Sequence, residues 1–352
     1  MPDAATAFAP GRVNLIGEHT DYNDGLALAF AISEGVIVRA TRAEDDRVHV
    51  IASDLGAEDS FAVHGAERAP GWRAFARGTA AELQRAGARL GGVRMQISGT
   101  VPRGSGLSSS AALEVALCLA MLGVSDAAVP DRIELAQICS RVENRWVGAR
   151  TGLLDQIASL CGENGRALRI DFRSLEVTPV ELDLGDYSLV TLDSGERHVN
   201  AGRGDSTGAD EEPGYNQRRD ECARARALLG VPSLRDATPA MAAELPEPLA
   251  ARVSHVITEN QRVEEAVAAL AAADLERVGE LLNASHASLR DCYEISTPAV
   301  EAAVTRLREA GAVGARIIGG GFGGHVLGLL APGAVPPQGA IGVQPGPGAH
   351  LI

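Results

Sequence analysis

Residues 93–122 limit the possible folds more than any other part of the chain. A strand-like run, Val93–Ser98, leads through Val101-Pro-Arg-Gly-Ser-Gly-Leu-Ser-Ser-Ser-Ala-Ala112 into a helix predicted over Ser108–Leu122. That helix has Ser at its start, Ala and Leu through its body and Gly123 just past its end. Gly104 and Gly106 let the backbone turn tightly, so N–H groups at the helix start, reinforced by the macrodipole, face an anion. Ser108, Ser109 and Ser110 add donors for phosphate oxygens and a candidate magnesium ligand. A bare Gly-x-Gly more often belongs to an ordinary Ser-capped helix; the triple Ser and the place between strand and helix weigh against that reading.

All 32 basic residues are Arg, and there is no Lys. A Walker-type phosphate loop, Schiff-base chemistry and pyridoxal chemistry all need a Lys and are excluded. Triphosphate held here would be neutralised by backbone dipoles, magnesium and Arg. The formal charge of −14 argues against nucleic acid and anionic membrane partners. At 352 residues and 45% hydrophobic, the chain is long enough for two cores.

No run approaches eighteen apolar residues, and Met1-Pro-Asp-Ala-Ala-Thr does not read as a signal peptide, so a cytoplasmic protein is expected. The five scattered cysteines, Cys118, Cys139, Cys161, Cys222 and Cys292, read as reduced thiols, mostly core filler.

Short strands and helices in mixed order over the first two hundred residues, including strand-like Val36–Ala40 and Val48–Ala52, indicate an α+β fold. A second helix is predicted over Ile133–Val147, with Leu135, Cys139, Val142 and Trp146 along one face. A strand at Tyr187–Asp193 precedes the polar segment Asn200–Gly214, which is expected to be a mobile loop. Helices are expected over Tyr215–Leu229, Arg252–Ala273 and Thr297–Ala310, then strands around the glycine cluster Gly319–Gly324. A domain boundary near Leu184 divides the chain into residues 1–184 and 185–352.

Two carboxylates attract attention. Asp155, in Thr151-Gly-Leu-Leu-Asp-Gln156, stands where a helix begins to bury itself; it is either a helix cap or a group that orients or deprotonates a substrate hydroxyl. Glu143, one turn beyond Cys139, is either a solvated helix-edge residue or a magnesium ligand. Arg12, Asn14, Glu18, His19, Asp21 and Tyr22 crowd around Gly17, a density suited to a sugar, whose hydroxyls each need a directed partner. Metal binding by His19 is rejected, since no second His or Cys stands at a ligand-like spacing.

Three segments together resemble the GHMP kinase family, and within it the galactokinase branch: Pro10-Gly-Arg-Val-Asn-Leu-Ile-Gly-Glu-His-Thr-Asp-Tyr-Asn23, the ATP loop Gly104–Ala112, and the glycine-rich Gly314-Ala-Arg-Ile-Ile-Gly-Gly-Gly-Phe-Gly-Gly324. The resemblance implies a mixed α/β N-terminal domain and a ferredoxin-like C-terminal domain, with the active site in the cleft between them. The implied reaction is ATP-dependent phosphorylation of the anomeric hydroxyl of galactose. Asp155 would be the base, and Arg12 would keep it ionised and stabilise the transferring phosphoryl group. Glu18, His19, Asp21 and Tyr215, with the backbone near Gly152, would bind the sugar. Gly104, Ser105, Gly106, Leu107, Ser108, Ser109 and Ser110 would wrap the phosphates of ATP, with Trp72 near adenine, and Ser110 and Glu143 would hold Mg2+.

The chain departs from the family pattern in having Ala29 for the usual Pro, Leu154 for the usual Met, and nine residues before Pro10. A monomer or weak homo-oligomer is expected. A kinase of a related sugar and a non-catalytic sugar sensor are the competing readings; the intact Ser110-Ala111, Asp155 and Arg12 favour catalysis.

Overall fold

The computed structural model describes residues 3–101, 106–125, 127–196 and 214–352. Gly104 and Ser105, and residues 200–213 of the polar segment, lie outside them.

Two sheets organise the chain. The first contains β1 (Ala4–Ile16), β2 (Leu26–Arg42), β3 (Arg47–Ala52), β4 (Ala57–Ala62), β5 (Val93–Gly99), β6 (Arg166–Asp171) and β7 (Glu176–Glu181). Helices α2 (Ser109–Gly123) and α4 (Leu154–Cys161) pack on it, and α1 (Arg73–Arg85) and α3 (Arg132–Val142) pack against those helices and each other. Strand β2 is its spine: β1 runs antiparallel along one edge, while β6 pairs with residues 26–29 and β5 with residues 36–42 on the other.

The second sheet is formed by β8 (Ser188–Asp193), then, after helices α5 (Tyr215–Leu229), α6 (Pro239–Ala242), α7 (Leu249–Ala271), α8 (Leu275–Asp291) and α9 (Pro298–Glu309), by β9 (Ala312–Ile317), β10 (His325–Leu330) and β11 (Ile341–Gly342). Its order, β11-β8-β10-β9, is fourth-first-third-second, the ferredoxin-like arrangement. All of its helices fall between the first and second strands; residues 331–340 carry none. Strand β12 (His350–Leu351) returns to the first sheet and pairs with β1.

The alternation in β2 explains how the halves join. Ala27 and Ala29 belong to the core beneath α2 and α4, where small side chains admit the helices closely. Leu26, Leu28, Phe30 and Ile32 point the other way, into a second core with Val263 and Ala266 of α7, Leu281 and Leu282 of α8, and Ile318. The cleft is therefore built on a continuous apolar seam. A third core fills the space under α5, α7 and α9.

Most expected elements appear, with three differences. The helix expected over Ile133–Val147 is α-helical only to Val142 and closes with a π turn, Glu143–Val147. Ser108 does not cap α2 with its hydroxyl: its backbone is left-handed, with φ 59°. Helices α1 and α8 were not legible in the residue pattern.

Candidate active site

The segment from Pro10 to Tyr22 begins as strand and ends as a tight turn. The β1–β2 register slips between Pro10 and Arg12 and again between Asn14 and Ile16, and such irregularities re-aim side chains. Gly11 has no Cβ because one would lie 2.5 Å from the Leu107 carbonyl oxygen. This close approach lets the Arg12 N–H donate to Leu107 O at 3.1 Å and Arg12 Nη1 to Gly106 O at 2.5 Å. The sugar-type segment and the Gly-Ser loop are thus bound to each other directly.

Asp155, in the first turn of α4, is not a helix cap. Arg12 Nε donates to its Oδ1 at 2.8 Å, Arg12 Nη2 lies 2.6 Å from the same oxygen, and Ser108 Oγ donates to Oδ2 at 2.6 Å. The left-handed Ser108 backbone, uncommon outside glycine, carries its hydroxyl to that carboxylate.

Glu143 is buried, not solvated. It accepts from Ser110 Oγ at 2.9 Å, Thr151 Oγ1 at 2.7 Å and Gln156 Nε2 at 3.0 Å. Burial pushes its carboxyl upward, Asp155 adds to this, and the hydrogen bonds oppose it. Gln156 also donates to the buried Glu114 at 3.2 Å.

The polar cleft is lined by Arg12, Glu18, His19, Asp21, Tyr215 and Asp155, together with Gly106, Ser108–Ser110, Thr151, Gly152, Leu154, Gly319 and Gly320. His19 stands in an aromatic group, its ring centroid 5.3 Å from Tyr215 and 4.7 Å from Tyr293, and its Nδ1 is 2.7 Å from the Tyr22 hydroxyl. Asp21 Oδ2 occupies the space a side chain at residue 152 would need: a Cβ on Gly152 would lie 1.9 Å away. Burial raises the Asp21 pKa to about 6, helped by the charge of Asp155 and opposed by Arg219.

Beside this cleft, and sharing Ser109 and Ser110 with it, lies an apolar pocket walled by Trp72, Phe75, Leu113, Trp146 and Val147. The buried carboxylate of Glu82 accepts from Trp146 Nε1 at 3.1 Å and is surrounded by Arg85, Arg141 and Arg145. Glu82 and Trp146 were missed because α1, which carries Glu82, was not legible and Trp146 reads as part of an apolar helix face. Of the remaining expected residues, Leu107 is buried just before α2; Leu154, which replaces the usual Met, lines the cleft. Among the described residues no group of three or more His, Cys, Asp or Glu is arranged to hold a metal. One carboxylate and one hydroxyl beside substrate phosphates is, however, an ordinary magnesium environment.

A polar, carboxylate-rich cleft joined through a Gly-Ser helix start to an apolar pocket defines a small-molecule phosphotransferase. The profile of the GHMP kinases N terminal domain matches residues 74–163, the galactokinase galactose-binding signature residues 2–42, and the GHMP kinases C terminal profile residues 266–337. The chain is 40% identical to a galactokinase of Streptomyces coelicolor, over 92% of this chain and 83% of the relative. It is 42% identical to one of Mycobacterium tuberculosis, over 92% and 88%. The crystal structure of Lactococcus lactis galactokinase complexed with galactose superposes with a TM-score of 0.89 at 31% identity, covering 99% of this chain and 95% of that one. A mevalonate kinase of Methanococcus jannaschii shares the fold, with a TM-score of 0.66 at 18% identity over 93% and 90% of the two chains. The chain belongs to the galactokinase branch of the GHMP kinase family.

Proposed function

We propose that this chain transfers the γ-phosphoryl group of ATP to the anomeric hydroxyl of galactose, giving α-D-galactose 1-phosphate and ADP. The observation that carries the reading is the placement of Asp155, gripped by Arg12 and Ser108 where the sugar-type cleft meets the Gly-Ser loop. The neighbour solved with galactose and the galactose-binding signature over residues 2–42 support the choice of sugar.

In this mechanism Glu18, His19, Asp21 and Tyr215 bind the sugar hydroxyls, and the Thr151–Gly152 backbone closes the same side. Asp155 takes the proton of the anomeric hydroxyl as that oxygen attacks phosphorus. Arg12 holds Asp155 in place through its Nε hydrogen bond and balances charge on the transferring group. The segment Gly104–Ser110 wraps the phosphates, and the base of ATP enters the apolar pocket beside Trp72. Ser110 and Glu143 offer the oxygens that would hold Mg2+, which supplies charge neutralisation on the β- and γ-phosphates when bound.

Substrate binding divides between residues 1–184 and 185–352, with residues 346–352 returning to the first sheet. A cytoplasmic setting fits the five unpaired cysteines. No described helix is long and apolar enough to cross a membrane. The protein acts on small molecules as a monomer or weak homo-oligomer, with no nucleic-acid or membrane partner.

An ADP-release assay over a panel of free sugars tests the reading. Turnover is expected with galactose; turnover with another sugar but none with galactose would overturn the assignment.

A further inference from the structure

Arg316, in β9, is fully buried, yet its guanidinium points out of its own sheet toward the sugar-type segment. Its Nη1 donates to Asn14 O at 3.1 Å and Leu15 O at 2.9 Å, and its Nη2 lies 3.3 Å from Glu18 Oε1. The same Glu18 oxygen accepts from the Gly319 N–H at 2.8 Å. A buried guanidinium is costly without partners; the two Nη1 hydrogen bonds and the Glu18 ion pair all fall on the segment that lines the sugar cleft, while Nε and Nη2 make no hydrogen bond among the described residues.

We propose that Arg316 is a positioning residue: it fixes Glu18 as a sugar-binding acceptor and ties it to the Gly319 turn, so that galactose and nucleotide reinforce each other's binding. The inference rests on Glu18 being a sugar ligand. Gly319 lies beside the Gly-Ser loop: a Cβ on Gly106 would lie 3.4 Å from Ile318 O and one on Gly319 3.5 Å from Gly106 O. Arg12 holds the same Gly106 carbonyl through its Nη1. A sugar that orders Glu18 therefore orders the Gly319 turn against the phosphate loop. By linkage, nucleotide must tighten sugar binding by the same factor.

The charge of Arg316 gives a second handle. Burial raises the Glu18 pKa, and Arg316 is the largest opposing influence, ahead of Arg12. Without that cation Glu18 holds its proton to higher pH and accepts more weakly from the sugar.

The test is calorimetry of galactose and of ADP, each with and without the other, on the parent and on Arg316→Met, Arg316→Lys, Glu18→Gln and the Arg316→Met/Glu18→Gln double variant. In the parent, galactose is expected to tighten ADP about fivefold or more. Arg316→Met is expected to weaken galactose about tenfold or more and abolish that reinforcement. Its galactose affinity should rise with pH across a range where the parent is flat. Arg316→Lys, with the charge but without the fork, should restore the pH profile more fully than the reinforcement. The double variant should bind galactose no more weakly than Glu18→Gln alone.

Parent-like galactose affinity in both Arg316 variants, or additive losses in the double variant, would overturn the proposal. So would an absence of reinforcement in the parent. Undiminished galactose binding by Glu18→Gln would instead remove Glu18 from the sugar site, a distinct failure that takes the proposal with it.

Discussion

Arg12 and Asp155 meet through two guanidinium nitrogens on one carboxylate oxygen, at 2.8 and 2.6 Å, leaving the other oxygen to Ser108. Both residues line the cleft, and Arg12 also carries the Gly106 carbonyl. Asp155→Asn is expected to lower kcat by about 10²–10⁴. Arg12→Ala is expected to lower turnover even at saturating galactose, with a smaller change in KM. Initial rates of ADP release check both; full activity in Asp155→Asn would end its assignment as base.

Asp21 is a different kind of carboxylate. Its pKa rises from 3.8 to about 6, so the folded chain binds the proton more tightly than the unfolded one. Its cost to stability is therefore absent well below pH 3.8, grows between the two values and is complete above about 6. Asp21→Asn is expected to raise stability by ~1–2 kcal/mol at pH 7.5, after allowance for partial exposure, and by little at pH 4. Galactose affinity should fall in that variant at pH 7.5. Denaturant melts at both pH values decide it; equal gains at both would refute the electrostatic origin.

Gly152 leaves room for that same carboxylate. With a Cβ only 1.9 Å from Asp21 Oδ2, Gly152→Ala must displace Asp21 or the Thr151–Gly152 backbone. The expected outcome is a KM for galactose raised about tenfold or more, by loss of one oriented polar contact, with the KM for ATP changed much less. Steady-state kinetics in both substrates separate the two.

Glu143 takes hydroxyl donors from Ser110 and Thr151. Glu143→Gln keeps those neighbours but gives up the negative charge, so half-maximal activity is expected to need about tenfold more magnesium. Direct binding of Mn2+·ADP, followed by magnetic resonance, should weaken in parallel. Unchanged metal binding would place the metal elsewhere.

The chain has two tryptophans, and both wall the apolar pocket. ADP alone is expected to change the intrinsic fluorescence, whereas galactose alone should leave it nearly unaltered. Glu82→Gln, which weakens the anchor on Trp146 Nε1, should reduce the ADP signal. A galactose response as large as that of ADP would contradict this placement.

What was legible in the sequence was the chemistry that is dense and local. The crowd from Arg12 to Tyr22, the triple Ser and the cluster Gly319–Gly324 stand out because few folds tolerate them without a ligand. Partnerships across long sequence separations were hidden. Nothing in the pattern joined Arg316 to Glu18 or Glu82 to Trp146, since each pair is created by the meeting of separate elements. The π turn at Glu143 was hidden for another reason: Leu135, Cys139, Val142 and Trp146 keep helical spacing through it, so periodicity alone reads as one unbroken helix. Ser108 gave a capping signal that the tertiary contact with Asp155 overrode.

The return of β12 to the edge of β1 bears on how the protein is made. Ala7 and Phe8 find their outer partners only at Leu351 and His350, which follow the whole second sheet in the chain. While a ribosome is still producing the second sheet, that margin of the strand leading to Arg12 has no neighbour to close it. The nascent chain is exposed there to mispairing until residue 351 emerges, so the edge beside the sugar-site strand closes only after the second sheet has been made.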